Sequence, residues 1–165
     1  MTLPASALMT TQGTYTGQNI GANRIDRVKT GAKHTVIISE IITACILIVV
    51  FIFARPIVAA FGLGAEAINY CSAHVRFVAL CLPLFASYFP LLGLFQCANN
   101  ALFSTFAATG ALTIRVATTY LFQGIPDVGY HMIWWNTILG WGFSFVISWI
   151  HFLRGSWKRK STTSQ

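Results

Sequence analysis

Acid is what this 165-residue chain has least of. Four Asp and Glu stand against eleven Lys and Arg, and charged residues of both signs reach only 9%. A soluble domain carries roughly 25%, so an ordinary water-soluble fold is disfavoured. The net charge of +7 reflects missing acid, not a broad basic surface. Nucleic-acid binding and intrinsic disorder are therefore disfavoured as well. Four cysteines, Cys45, Cys71, Cys81 and Cys97, form no C-x-x-C pair and no Cys/His zinc spacing. A disulfide scaffold and a metal centre are not expected. The chain has no G-x-S-x-G, no Walker loop and no H-E-x-x-H, and Asp26, Glu40, Glu66 and Asp127 are scattered. No catalytic residue and no cofactor site is read. Residues 1–14 lack the basic start and long apolar core of a secretory signal.

What the chain has in abundance is apolar side chains, at 55%. Its length supplies four membrane helices of about 20 residues with their loops. The first span is read at 36–53, where thirteen of eighteen residues are Val, Ile, Leu or Phe. On an insertion scale these sum to roughly −4 to −8 kcal/mol. That outweighs the roughly +2.5 kcal/mol or more of Glu40. Pro56, just past Arg55, is expected to end this helix. The second span, about 75–95, contains Pro83 and Pro90, so a bent or broken helix is expected. The third, about 102–122, carries one charge, Arg115. The fourth is about 132–153. Trp134 and Trp135 near one end and Trp149 and Trp157 near the other read as an aromatic belt. Gly140, Ser144 and Ser148 recur every four residues and form a face that another helix can approach closely.

The chain thus divides into a helix end and basic connector (1–35), a four-helix membrane region (36–153) and a basic tail (154–165). Arg24, Arg27, Lys29 and Lys33 precede the first span; Arg154, Lys158, Arg159 and Lys160 follow the fourth. Four spans put both clusters on one side, and the positive-inside rule makes that side the cytoplasm. The expected protein is an all-α, multi-pass protein of the cell membrane, lipid its main partner, with both termini cytoplasmic. Gly62, Gly64 and the stretch from Gly124 to Pro126 and Asp127 read as outer turns, and Asn99-Asn100 as an inner one. His34, His74, His131 and His151 fall near span ends and read as wetted interface anchors. Two charges remain inside spans, Glu40 and Arg115. Intramembrane ionisable groups are functional candidates by default. Glu40 either takes up and releases a proton, or snorkels to the cytoplasmic interface or pairs with a base. Arg115 is expected to face protein or water, pairing with a carbonyl, an acid or a polar side chain in preference to substrate.

Several short patterns are ordered along the chain. Gly17-Gln18-Asn19-Ile20-Gly21-Ala22 resembles the G-Q-N-x-G-A segment of the multidrug and toxic compound extrusion family. His74-Val75-Arg76-Phe77 followed by Pro83 resembles that family's Y-x-R-[IV]…P pattern. Arg115 and Tyr120 resemble its R-x-P-x-x-Y segment, with Ala117 where proline is usual. The ending Gly155-Ser156-Trp157-Lys158 is similar to its G-x-W-[KR] tail. Members of the family have twelve spans in two six-helix lobes and export cationic drugs in exchange for protons or sodium. The resemblance implies that this chain holds the last four spans, part of the C-terminal lobe. It also departs from the family: the inner turn reads Gln96-Cys97-Ala98-Asn99-Asn100 instead of R-G-x-G-D, and 75–95 contains no acid.

The resemblance implies a section of a drug or cation antiporter, incomplete and inactive alone, its substrates cationic drug-like molecules and H+ or Na+. A complementing chain or an oligomer would then be its partner. Two other readings stand beside it: a free-standing four-helix proton-coupled exporter acting as an oligomer, with Glu40 as proton carrier, and a non-transport membrane subunit.

Overall fold

The computed structural model describes residues 2–122, 124, 128–155 and 157, with side chains from 2–122, 124, 134–155 and 157. Pro126, Asp127, Ser156, Lys158, Arg159 and Lys160, and the side chain of His131, lie outside the described residues. Among the described residues five helices follow one another: α1 (Leu3–Gly21), α2 (Ile25–Ala59), α3 (Ala65–Cys97), α4 (Ala101–Phe122) and α5 (Val128–Arg154). Of these, α2, α3, α4 and the stretch Trp134–Arg154 of α5 are long and apolar enough to cross a membrane. The protein is a multi-pass, all-helical membrane protein.

Helix α1 starts with Pro4, whose fixed φ suits a first turn, and ends at Gly21. Asn23 then takes a left-handed conformation (φ 55°), and the Arg24 N–H reaches back to the Asn19 carbonyl at 2.8 Å. The basic stretch after it is helix, not a loose connector. Val28, Ala32 and Val36 recur every four residues and are buried, while Arg24, Arg27, Lys29 and Lys33 stay exposed. That amphipathic pattern is enough to carry the helix outward. With 35 residues, α2 is about 52 Å long, against roughly 30 Å of hydrocarbon.

One expectation about proline is corrected and another is narrowed. Pro56 does not end α2, which continues to Ala59. A proline deletes only its own N–H bond, and the following turn still closes: Ala60 N–H donates to the Pro56 carbonyl at 3.1 Å. The stop is Gly62, at φ 70°. Nor do Pro83 and Pro90 break α3, which runs unbroken over 33 residues. Helix α3 is the central element, packed against all four others, and neighbouring helices hold the turns that proline weakens.

The core follows from that centrality. Leu91, Leu92, Leu94 and Phe95 of α3 pack with Val28 and Ala32 of α2, Ala107 of α4 and Phe152 of α5. The start of α2 and the ends of α3 and α5 therefore share one end of the bundle. Where α1 crosses α3, Gly93 leaves no room for a side chain: a Cβ there would lie 2.1 Å from the Met9 carbonyl oxygen. Helices α4 and α5 form a hairpin. Ser104 and Ala107 are the buried residues of α4. The Ser144 hydroxyl of α5 donates to the Ala107 carbonyl at 3.2 Å.

The aromatic ends differ from a simple belt. Trp135 is exposed, but Trp157 is fully buried, stacked on Phe152, and its indole N–H donates to the Phe152 carbonyl at 3.3 Å. His151 is no wetted anchor either. Its ring stacks on Phe103 at 3.8 Å and shares a hydrogen bond with Asn100 in the α3–α4 turn. Half-buried His74 lies edge-on against Trp134, whose N–H donates to the Tyr70 hydroxyl at 3.1 Å.

Candidate functional site

Glu40 lies on α2, half-buried against α3. The Ser87 hydroxyl of α3 donates to its carboxylate. Along the same helix, Thr35, Ser39 and Thr43 form a stripe of hydroxyls at four-residue spacing. Thr35 is half-buried, while Ser39 and Thr43 are buried. The Thr35 hydroxyl donates to the Gln12 side-chain oxygen of α1 at 2.7 Å, and Gln12 in turn donates to Thr16 at 3.1 Å. Ser39 Oγ is buried with no hydrogen-bond partner among the described residues. A polar seam thus follows α2 where it meets α1 and α3.

Gln12 was not legible as a site residue. It is fully buried, yet it sits in a stretch whose other polar side chains, such as Thr10, Thr11 and Thr14, are exposed and bond back to their own helix. The one available signal is Thr16 four residues later, which places both on one face.

Arg115 belongs to the other half of the bundle. Its Nε donates to the Asn136 side-chain oxygen of α5 at 3.1 Å, and Asn136 donates to Thr119 at 2.9 Å. Gly140 makes room for the arginine stem: a Cβ there would lie 2.5 Å from Arg115 Cδ and 2.7 Å from Cγ. The Gly140/Ser144 face, read from the sequence as a helix-packing ridge, does carry α4 and also seats this side chain. A cleft of about 410 Å³ opens beside it, lined by Leu112, Arg115, Val116, Thr119, Tyr120 and Asn136. A second, of about 240 Å³, runs inward past Tyr88, Trp141 and Ser144. No ion pair joins Glu40 to Arg115; one faces the α2/α3 seam and the other the α4/α5 hairpin.

The remaining motif residues fall in three places. Gly17, Gln18, Asn19 and Gly21 close α1: Asn19 donates to the Tyr15 carbonyl at 2.8 Å and accepts from Arg24 through its own carbonyl. A Cβ at Gly17 or Gly21 would meet nothing within 4 Å, whereas Gly31, which the motif does not include, lies directly under the Tyr15 ring. Arg76 is half-buried on α3, with Nε unpartnered among the described residues, and Pro83 lies inside the same helix. Tyr120 is largely exposed at the mouth of the Arg115 cleft.

The model of the MatE family matches residues 1–121, well over half of the chain. The chain belongs to the MatE family. No curated protein and no solved structure matches it. The family is one of transporters for multidrug and cation efflux, so small-molecule transport across a lipid bilayer is its setting. The match covers α1 to the last turn of α4, and with it Glu40, Arg115 and every motif residue from Gly17 to Tyr120. Asn136 and Gly140, which hold Arg115 in place, lie beyond the MatE match. Among the described residues no three of His, Cys, Asp and Glu converge to hold a metal ion.

Proposed function

We propose that this MatE chain is a section of a secondary active efflux antiporter that exchanges cationic drug-like molecules for H+ or Na+. Glu40 carries the coupling proton and Arg115 borders the pathway. The observation that carries this reading is the Glu40–Ser87 hydrogen bond between α2 and α3. A carboxyl inside a span is costly unless it is partnered or protonated. The serine hydroxyl can donate to the carboxylate or accept from the carboxylic acid. The pair therefore accommodates both protonation states without moving a helix.

The section works as part of a larger assembly in the cell membrane. Alternating access requires two facing bodies that rock around a central site. Here α4 buries little more than Ser104 and Ala107, and the Thr10/Thr11/Thr14 face of α1 opens on a concavity of about 620 Å³. Both are faces for further helices. A cytoplasmic α1–α2 turn and a cytoplasmic C-terminus agree with the exposed Arg24, Arg27, Lys29 and Lys33 at the bundle end that also holds the end of α5. Helix α1 runs back from that end, Gln12 against Thr35, so its start at Leu3 lies about 27 Å away along the helix.

The test is efflux of a cationic dye from cells. The chain alone is expected to confer none; with complementing helices supplied, efflux appears and Glu40→Gln reduces it at least tenfold. Proton-dependent efflux by the chain alone, lost in Glu40→Gln, would favour the free-standing exporter. Unchanged efflux in Glu40→Gln would remove the proton role from this residue.

A further inference from the structure

Among the described residues, Arg115 is a cation held in a span with no counter-charge. Of the five donors of a guanidinium, Nε is used by Asn136. Among the described residues the terminal nitrogens donate to nothing, and no carboxylate pairs with them. Asn136 and Thr119 offer dipoles but no charge. An unpaired guanidinium at membrane depth is expensive, and the surroundings do not free it to snorkel, since Gly140 seats its stem.

We propose that the Arg115 cleft binds the negative head of an amphiphile: a phosphate or carboxylate carried on an apolar body. The head pairs with the free edge of the guanidinium, the arrangement in which arginine binds such groups most strongly. The body lies along Leu112, Val116 and Tyr120, which are exposed on α4 and line the opening. About 410 Å³ of space is within the range of small-ligand sites. The depth also fits. Arg115 comes about 21 Å after the start of α4 and about 10 Å before its end at Phe122, so it lies nearer the end reached by an outer-leaflet head group. A cationic substrate gains nothing from an unneutralised guanidinium, so the occupant of this cleft is not the exchanged drug; the site stands without the exchange proposed above, even where it borders that pathway. A lipid phosphate and a free amphiphilic anion share the chemistry.

The experiment uses the full chain purified in a neutral detergent, with tryptophan fluorescence as the readout, since Trp141 lines the inner cleft beside Arg115. The probes are dodecyl phosphate, phosphatidylglycerol, phosphatidylcholine and inorganic phosphate. Saturable binding of the first two is expected, at least tenfold weaker in Arg115→Gln and largely kept in Arg115→Lys. Binding of phosphatidylglycerol alone assigns the site to lipid; comparable binding of dodecyl phosphate extends it to free anions. Gly140→Ala displaces the arginine stem without touching its charge and should weaken binding severalfold with helical content unchanged. Equal affinity in Arg115→Gln, or phosphatidylcholine or inorganic phosphate binding as tightly as the anionic amphiphiles, overturns the proposal. Should Arg115→Gln lose its helical signal, Gly140→Ala decides alone, and unchanged affinity there overturns it equally.

Discussion

Two glycine contacts in this bundle are built in opposite ways. At the α1/α3 crossing, Gly93 faces backbone: the Met9 carbonyl sits where a Cβ would go. In the α4/α5 hairpin, Gly110 and Gly140 face side chains, the Phe143 ring edge and the Arg115 stem. Backbone cannot step aside without moving a helix, and a side chain can. The first contact fixes α1 on the central helix. The second lets the hairpin hold a charged side chain that retains freedom at its tip. The carboxylate and the guanidinium divide along the same line. Glu40 is partnered by a helix of the rigid side, and Arg115 looks into an open cleft.

The largest effect should come from Gly93→Ala. The added methyl must displace α1 by roughly an ångström along its crossing, and overpacking of this kind costs about 1–3 kcal/mol. We place it at the upper end, because the obstructing atom is a main-chain oxygen. Unfolding by SDS, followed by circular dichroism, should shift accordingly, and protease should cut α1 sooner. Gln12→Ala comes next. It removes two hydrogen bonds, to Thr16 and from Thr35. Only the Thr35 bond joins two helices, the Thr16 bond lying within α1. An interhelical bond is worth about 0.6 kcal/mol on average, and the emptied site of a fully buried side chain adds to that. A loss of about 1–2 kcal/mol in the same titration is expected. No loss would mean that α1 is held by the glycine crossing alone.

These two residues also mark how far the sequence could be read. The four spans were legible because apolar runs of 18 or more residues have one physical explanation, and the turn at Asn99 because a left-handed residue favours Asn or Gly. Glu40 and Arg115 were legible because charge is rare in such runs. Their surroundings were not. Ser87 and Asn136 are 47 and 21 residues away in the chain, and no local pattern brings them in. The motif glycines Gly17 and Gly21 stood out by spelling yet face open space, while Gly93 and Gly31, each pressed against a neighbour, look unremarkable in sequence. Proline misled in the same way at Pro56, where local propensity argued for a stop; at Pro83 and Pro90 it argued for a bend or a break, and packing kept α3 one continuous helix.

The smallest effect tests the contrast most sharply. Gly110→Ala adds the same methyl as Gly93→Ala, and its Cβ would lie 2.7 Å from Phe143 Cε1. Here the obstacle is a ring edge, and turning it off its rotamer costs about 0.5–1.5 kcal/mol. Replacing glycine in a helix interior returns about 1 kcal/mol. The two nearly cancel, so stability in SDS should stay within about 1 kcal/mol of the parent, with a change in Phe143 packing as the visible consequence. If Gly110→Ala instead costs as much as Gly93→Ala, the hairpin is as rigid as the α1/α3 crossing. Arg115 would then be held fixed along its whole length, and the freedom its cleft needs to close on a negative head group would be absent.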